Sequence, residues 1–177
     1  MNFTLRPWTL NDLTSVTHHG CNPNISKFMS DAFPDTEAKW KNFLDFATTD
    51  ESILYLAIDI DGEAVGGIGV TPQKDFLRKN AELGYWLSEQ YWGRGIMTRA
   101  TKEIVKRAFE RFDIEWIFAT PYDINKASHR VLEKAGFKLE AKLEKIEVKN
   151  GVELDELIYG IRKNSKKLYH QPNRLAL

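Results

Sequence analysis

Cysteine is almost missing from this 177-residue chain. Cys21 stands alone between His18-His19-Gly20 and Asn22-Pro23-Asn24. No internal disulfide can form, and a reducing compartment fits. A catalytic Cys/His pair is one reading of this stretch; a free thiol at a helix end is the other. An excess of charge is missing too, with 25 basic and 25 acidic residues. No global field draws the protein to nucleic acid or to an anionic membrane, so any anion site must be local. No apolar run approaches the roughly 18 residues that span a bilayer. The stretch from Met1 to Trp8 has no signal-like apolar core, and the expected location is cytoplasmic. No Gly-Lys-Ser/Thr occurs, which excludes a Walker loop. His18 and His19 have no ligand-spaced partners, and no metal site is expected.

What is present is ordinary for a globular domain: 42% hydrophobic and 28% charged residues. Ten Phe, six Tyr and five Trp must pack somewhere, so disorder throughout is excluded. The length suits one domain over residues 1–163, with a polar, basic tail over 164–177. That tail is read as a solvated terminus; contact with RNA or an acidic partner is the alternative.

Periodicity supplies the elements. Phe3–Arg6 alternates as a short strand ended by Pro7, and Thr9 with Asp12 reads as a helix start closed by Gly20. After Asn22-Pro23, Ile25, Phe28 and Met29 share a helical face. Trp40, Phe43, Leu44 and Ala47 mark a further helix. Ile53–Ile60 is a buried strand, Asp61-Gly62 a hairpin turn, and Ala64–Val70 the return strand. Its glycines at 66, 67 and 69 signal a bulge or tight packing. Asn80–Ser88 alternates as a strand, Ile96–Phe112 repeats as a long helix, and Glu115–Thr120 is a short strand. Ala127, Val131 and Ala135 define a helix ended by Gly136. On that helix His129 falls on another face and is expected at the surface. The phase of alternation flips between Leu143 and Ile146, which predicts a bulge near Glu144-Lys145. Asn150-Gly151 turns the chain into a last strand, Leu154–Ile161. The order predicts an α/β fold, with a mixed sheet carrying helices on both faces.

The informative stretch is Gln90-Tyr91-Trp92-Gly93-Arg94-Gly95-Ile96-Met97, between a strand and a long helix. Its glycines let backbone approach a ligand, and the helix start adds unpaired amides and partial positive charge. Such a turn suits a pyrophosphate. Thr98 replaces the third glycine of a dinucleotide fingerprint.

With the preceding Ala81–Leu87, Gln90-x-x-Gly93-x-Gly95 resembles the acyl-coenzyme A signature of the GNAT acetyltransferases. Asn125-Lys126-Ala127-Ser128-His129-Arg130-Val131-Leu132-Glu133-Lys134-Ala135-Gly136-Phe137 is similar to the RimJ/RimL-like branch. Leu5-Arg6-Pro7 and Lys149-Asn150-Gly151 followed by Asp155 also fit, so the likeness spans about residues 3–162. The resemblance implies a central, mostly antiparallel mixed sheet in a GNAT-like fold, and acetyl transfer from acetyl-coenzyme A to a primary amine. Trp86, Leu87 and Ser88 would pair with the pantetheine arm, and the amides from Tyr91 to Met97 would hold the pyrophosphate. Gln90 belongs to the same signature, with Trp92, Arg94 and Ile96 inside the loop. Asn125 would meet the cofactor arm; Ser128 would lie near the sulfur. Arg94, Arg99, Lys126 and Arg130 are candidates to neutralise phosphates. The tyrosine that many relatives use to protonate the thiolate is replaced here by Leu132, which leaves Ser128 as substitute.

An amine is protonated at neutral pH, so attack requires a base. Glu82, Glu147 and a water relay are the candidates. The oxyanion requires a fixed donor, and the Tyr85–Leu87 backbone is the expected one. Phe28, Phe33 and Tyr122, with Met29 and Trp40, are candidate walls of the acceptor pocket. The acceptor is a protein N-terminal α-amine or a small amine such as a polyamine, amino acid or antibiotic. A coenzyme A-binding module without turnover is the third reading. The assembly is expected to be a monomer or homodimer, with no membrane or nucleic-acid partner.

Overall fold

The computed structural model describes residues 1–163. The basic tail expected over 164–177 lies outside the described residues. Seven strands form one sheet: β1 (Thr4–Pro7), β2 (Leu54–Ile60), β3 (Glu63–Pro72), β4 (Asn80–Leu87), β5 (Trp116–Ala119), β6 (Lys138–Lys149) and β7 (Val152–Arg162). Their order is β1-β2-β3-β4-β5-β7-β6. Every neighbouring pair is antiparallel except β4 with β5. That single parallel pair follows from the long crossover through α4 (Ile96–Arg111), since parallel neighbours need a helix-length return.

Helices cover both faces, as the alternation of elements predicts. On one side α4 and α5 (Lys126–Ala135) bury a core that includes Leu83, Ile96, Ile104, Ile117 and Leu132. The buried positions of α4 fall at 96, 97, 100, 101, 104, 105 and 108, the stripe that a 3.6-residue period presents to a sheet. On the other side α1 (Leu13–Gly20), the short α2 (Pro23–Ser26) and α3 (Glu37–Thr49) pack on a second core. There Trp8, Val16, Trp40, Leu44 and Trp86 interlock.

Local signals hold where they are strong. Thr9 and Asp12 form the expected capping box. Arg6 extends it, forking to both Asp12 oxygens at 2.7 and 2.8 Å and reaching Asp59 at 2.7 Å. The ladder between β6 and β7 shifts between Leu143 and Glu147, and Lys145 takes φ +53°, so the bulge stands where the phase flips. The glycines of β3 reflect tight packing: a Cβ on Gly69 would stand 2.2 Å from the Tyr55 ring.

Two expectations are corrected. The helix after Pro23 ends at Ser26, and Phe28 and Met29 follow in turns rather than on a helical face. His129 is buried, not exposed. Its Nε2 lies 3.0 Å from the Tyr122 carbonyl and its ring 5.7 Å from Tyr159. The buried face of α5 is Ser128, His129 and Leu132, while Ala127 is exposed. Two alanines carry too little apolar area to fix a helix's orientation against two specific polar contacts.

Candidate active site

The sheet opens at one point. β4 and β5 pair only through Asn80–Trp116, Ala81–Ile117 and Glu82–Phe118. Past Glu82, β4 stays bonded to β3 while β5 continues along β7. The Ser88 amide donates to the Val65 carbonyl at 2.8 Å. By antiparallel alternation, Ser88, Trp86 and Gly84 therefore turn their backbone groups toward β3, and Tyr85 and Leu87 turn theirs into the gap. The Leu87 carbonyl is taken by the Trp92 indole N–H at 2.7 Å. This leaves the Leu87 amide and both Tyr85 groups facing the opening. Of Trp86, Leu87 and Ser88, the three residues expected to pair with the pantetheine arm, only Leu87 has the required direction.

At the end of the gap lies the glycine turn. Gly93 and Gly95 take φ +73° and +69°, a region that favours glycine. A Cβ at either would meet no protein atom within 4 Å. Space for a ligand is therefore kept over this backbone. Gly95 caps α4 without a side chain, so the first-turn amides have no intrahelical acceptor. The Tyr91 and Trp92 amides are engaged, with the Ser88 and Glu89 carbonyls at 3.0 Å each. The amides of the turn with no such partner are those of Gly93 to Met97, the set with the direction and freedom an anion cradle requires. Ile96 and Met97 bury their side chains in the core and fix the first turn, while Gln90 is exposed. Arg99 donates to the Met1 carbonyl at 2.7 Å, and the Arg94 guanidinium lies over the Tyr91 ring at 5.7 Å. Lys126 and Arg130 are exposed on α5.

Beside the gap, Asn125 caps α5, its Oδ1 accepting from the Ser128 amide at 3.1 Å. Ser128 Oγ lies 2.7 Å from the Tyr85 hydroxyl. Burial raises the Tyr85 pKa well above the ordinary phenol value, so the hydroxyl keeps its proton. From the sequence, Tyr85 is expected to contribute through its backbone; the structure adds its hydroxyl. Nothing in one sequence says that residue 85 of a strand touches residue 128 of a helix.

On the opposite side of β4 is a cleft lined with carboxylates. Glu82 is the last β4 residue paired with β5. Its side chain reaches solvent, yet desolvation raises its pKa, as befits a carboxyl on the floor of a cleft. Glu156 on β7 is raised by burial and by the charges of Glu147 and Glu82. The Tyr122 hydroxyl donates to Glu147 Oε2. Burial, then Glu147, Glu156 and Asp31, hold the Tyr122 phenol above its ordinary range. Glu156 therefore feels both other glutamates, and Tyr122 feels Glu147, Glu156 and Asp31. Glu156 and Asp31 were not foreseen; Glu156 comes beside Tyr122 through an isolated bridge between segments over 30 residues apart.

Next to that rim is a cavity of about 420 Å³, bounded by Trp8, Phe33, Trp40, Tyr55, Gly84 and Trp86, with Met29 at its edge. Of the expected wall residues, Phe33 lines it, Tyr122 stands on the acidic rim, and the half-buried Phe28 lies outside the lining. A separate chain runs from the exposed Glu63 at the start of β3 through the buried His19 of α1 to the buried Ser88 just past β4: Glu63 Oε1 is 3.0 Å from His19 Nε2, and His19 Nδ1 is 3.0 Å from Ser88 Oγ. Cys21 ends α1 as an exposed free thiol. Among the described residues, no helix is long and apolar enough to cross a membrane, and no group of three or more His, Cys, Asp or Glu side chains has the placement to hold a metal ion.

The family model described as "Acetyltransferase (GNAT) domain" matches residues 2–138. YdaF of Bacillus subtilis (strain 168), provisionally named a ribosomal N-acetyltransferase, is 28% identical over 123 residues. The match takes in 70% of this chain and 64% of YdaF, so the chain spans less than two thirds of that relative. Among solved structures, the microcin C7 self-immunity acetyltransferase MccE, in complex with acetyl-CoA and AMP, is 27% identical. It superposes with a TM-score of 0.78, covering 91% of this chain and 92% of that one. The ribosomal-protein-S5-alanine acetyltransferase of Vibrio fischeri shares the fold with a TM-score of 0.79 at 21% identity, covering 95% and 97%. The open turn at Gly93–Gly95, the parted strands and the family match over most of its length agree: the chain belongs to the GNAT acetyltransferase family.

Proposed function

We propose that the protein transfers an acetyl group from acetyl-coenzyme A to a cationic primary amine, with a protein N-terminal α-amine as the favoured acceptor. Acetyl-coenzyme A supplies an acyl group activated as a thioester. One observation carries the reading: β4 parts from β5 just past Glu82, so the gap opens between a glycine turn with unpaired amides at one end and Glu82 at the other, within the electrostatic reach of Glu156.

Each residue then has a task. The amides from Gly93 to Met97 donate to the pyrophosphate. Arg94 inside the turn and the exposed Arg130 on α5 add positive charge, and the Asn125 cap holds α5 beside the pantetheine arm. The Leu87 N–H donates to the thioester carbonyl oxygen as negative charge grows on it. Glu82, aided by Glu156 and Glu147, takes a proton from the ammonium, directly or through water, and passes it to solvent; as the C–N bond forms and the C–S bond breaks, the second nitrogen proton leaves by the same route, and a raised carboxyl pKa suits a base working near neutrality. The Tyr85 hydroxyl, hydrogen-bonded to Ser128, protonates the departing sulfur and is recharged from solvent through Ser128. The exposed rim at Glu82 and Glu147 favours an acceptor that enters end-on, as a peptide terminus does.

The test is an acceptor screen with thiol release as the readout. Peptides with free N-termini and small amines are each incubated with acetyl-coenzyme A. Turnover with amines is expected. Tight coenzyme A binding without thiol release from any amine would leave a binding module and end the proposal.

A further inference from the structure

The carboxylates draw in a cation, but they do not explain the cavity beside them. Its walls carry no charged side chain. Trp40 meets Trp86, Phe33 and Phe43 at ring distances of 5.2, 5.3 and 5.5 Å, mutual aromatic contacts that brace the cavity wall. Its volume, about 420 Å³, lies in the range of sites that enclose a small ligand. Gly84 forms part of the lining, and a Cβ there would meet no atom within 4 Å. The chain thus leaves open a space that any larger residue would occupy.

Position ties the cavity to the reacting end. Glu82, Gly84 and Trp86 alternate on one face of β4, so the cleft carboxyl stands about 7 Å along the strand from the cavity floor. The α2–α3 connection repeats the arrangement: Ser30, Ala32 and Phe33 line the cavity, while Asp31 between them acts on Tyr122. This connection is anchored, because the Lys149 ammonium donates to the Ser26 carbonyl at 2.9 Å and to the Met29 carbonyl. Charge and apolar surface are therefore sorted to adjoining places, one for an ammonium and one for a group it carries.

We propose, on the transferase reading above, that the acceptor is a primary amine bearing an aromatic or similarly large apolar group within two or three bonds of its nitrogen. A first residue such as Phe or Trp and a free arylalkylamine share this chemistry. A polyamine does not, since its second ammonium would enter a chargeless aromatic cavity and lose its hydration there.

The experiment compares kcat/KM for phenethylamine, ethylamine, spermidine, and peptides beginning with Phe, Trp, Ser or Gly. Phenethylamine is expected to exceed ethylamine on the order of 100-fold or more, since even one methylene in such a pocket is worth about 10–200-fold. Phe- and Trp-initiated peptides are expected to exceed Ser and Gly peptides similarly. Preference for these peptides over phenethylamine assigns a protein N-terminus; the reverse assigns a small metabolite. Gly84→Leu should collapse the phenethylamine-to-ethylamine ratio toward unity. Indole, which has no amine to acetylate, should compete with phenethylamine and not with acetyl-coenzyme A in the wild-type protein. Equal turnover of aromatic and aliphatic amines, or preference for spermidine, overturns this inference and leaves the transferase reading standing. Absence of turnover with every amine, coenzyme A still binding, overturns both.

Discussion

Gly93→Val separates what the glycine turn does for the fold from what it does for the ligand. Gly93 sits at φ +73°, and a side chain there would meet no protein atom within 4 Å. The cost to the fold is therefore conformational, about 1–2 kcal/mol for an L-residue in the left-handed region. For a chain of this length that lowers Tm by about 2–8 °C. The ligand meets a different cost. If the branched side chain displaces a phosphate from two amides, about 1.5–3 kcal/mol is lost for each charge-assisted hydrogen bond. The dissociation constant for coenzyme A then rises on the order of 10² to 10⁴-fold. Gly151→Val is the control: φ +76°, equally open space, and a place in the β6–β7 turn away from the cradle. It should reproduce the Tm loss and leave coenzyme A affinity within about twofold. Isothermal calorimetry and thermal melts on the two variants make the comparison. Wild-type affinity in Gly93→Val, or equal loss of affinity in both, would refute the placement of the cradle.

The proton steps make two further predictions. Tyr85→Phe removes the hydroxyl beside Ser128 and should lower kcat about 10- to 100-fold, the low end for a positioned proton donor because Ser128 remains, with KM for acetyl-coenzyme A nearly constant. Ser128→Ala should do likewise, and the double variant should lose less than the product of the two. Unchanged single-turnover rates would remove the pair from the mechanism. Glu156→Gln addresses the coupled carboxylates. A raised carboxyl pKa means that the folded chain holds its proton more tightly than the unfolded chain, so this group favours folding at low pH and weakens it as pH rises through the raised value. The variant should melt higher than wild type at pH 7, lose that advantage near pH 4, and bind amine acceptors less well. A Tm gain independent of pH would show that charge is not the cause.

Much of this molecule was legible in its sequence, for reasons that act over a few residues. Asp61-Gly62 and Asn150-Gly151 demand left-handed turns, and both pairs take positive φ. Gly136 ends its helix with φ +102°. The flip of alternation at 143–146 gave the bulge, and the spacing of Gln90, Gly93 and Gly95 gave the turn at the head of α4. Each signal is a local steric or periodic constraint, so no distant contact can override it cheaply.

The rest was decided by segments that meet only in the folded chain. His129 looked solvent-facing until Tyr122 and Tyr159 closed over it. Whether Ser88 or Leu87 faces the gap depends on the register of β4 against β3, and one residue of slip reverses it. Glu156 on β7 feels the charges of Glu82 on β4 and Glu147 on β6, and Tyr85 meets Ser128 across 43 residues. Sequence alone determined the tight turns, the long helix α4 and the glycine turn at its head, because these are properties of short stretches. Tertiary structure alone decided the carboxylate rim, the hydroxyl pair and the aromatic cavity, because each is made of side chains that the chain keeps far apart until strand pairing brings them together.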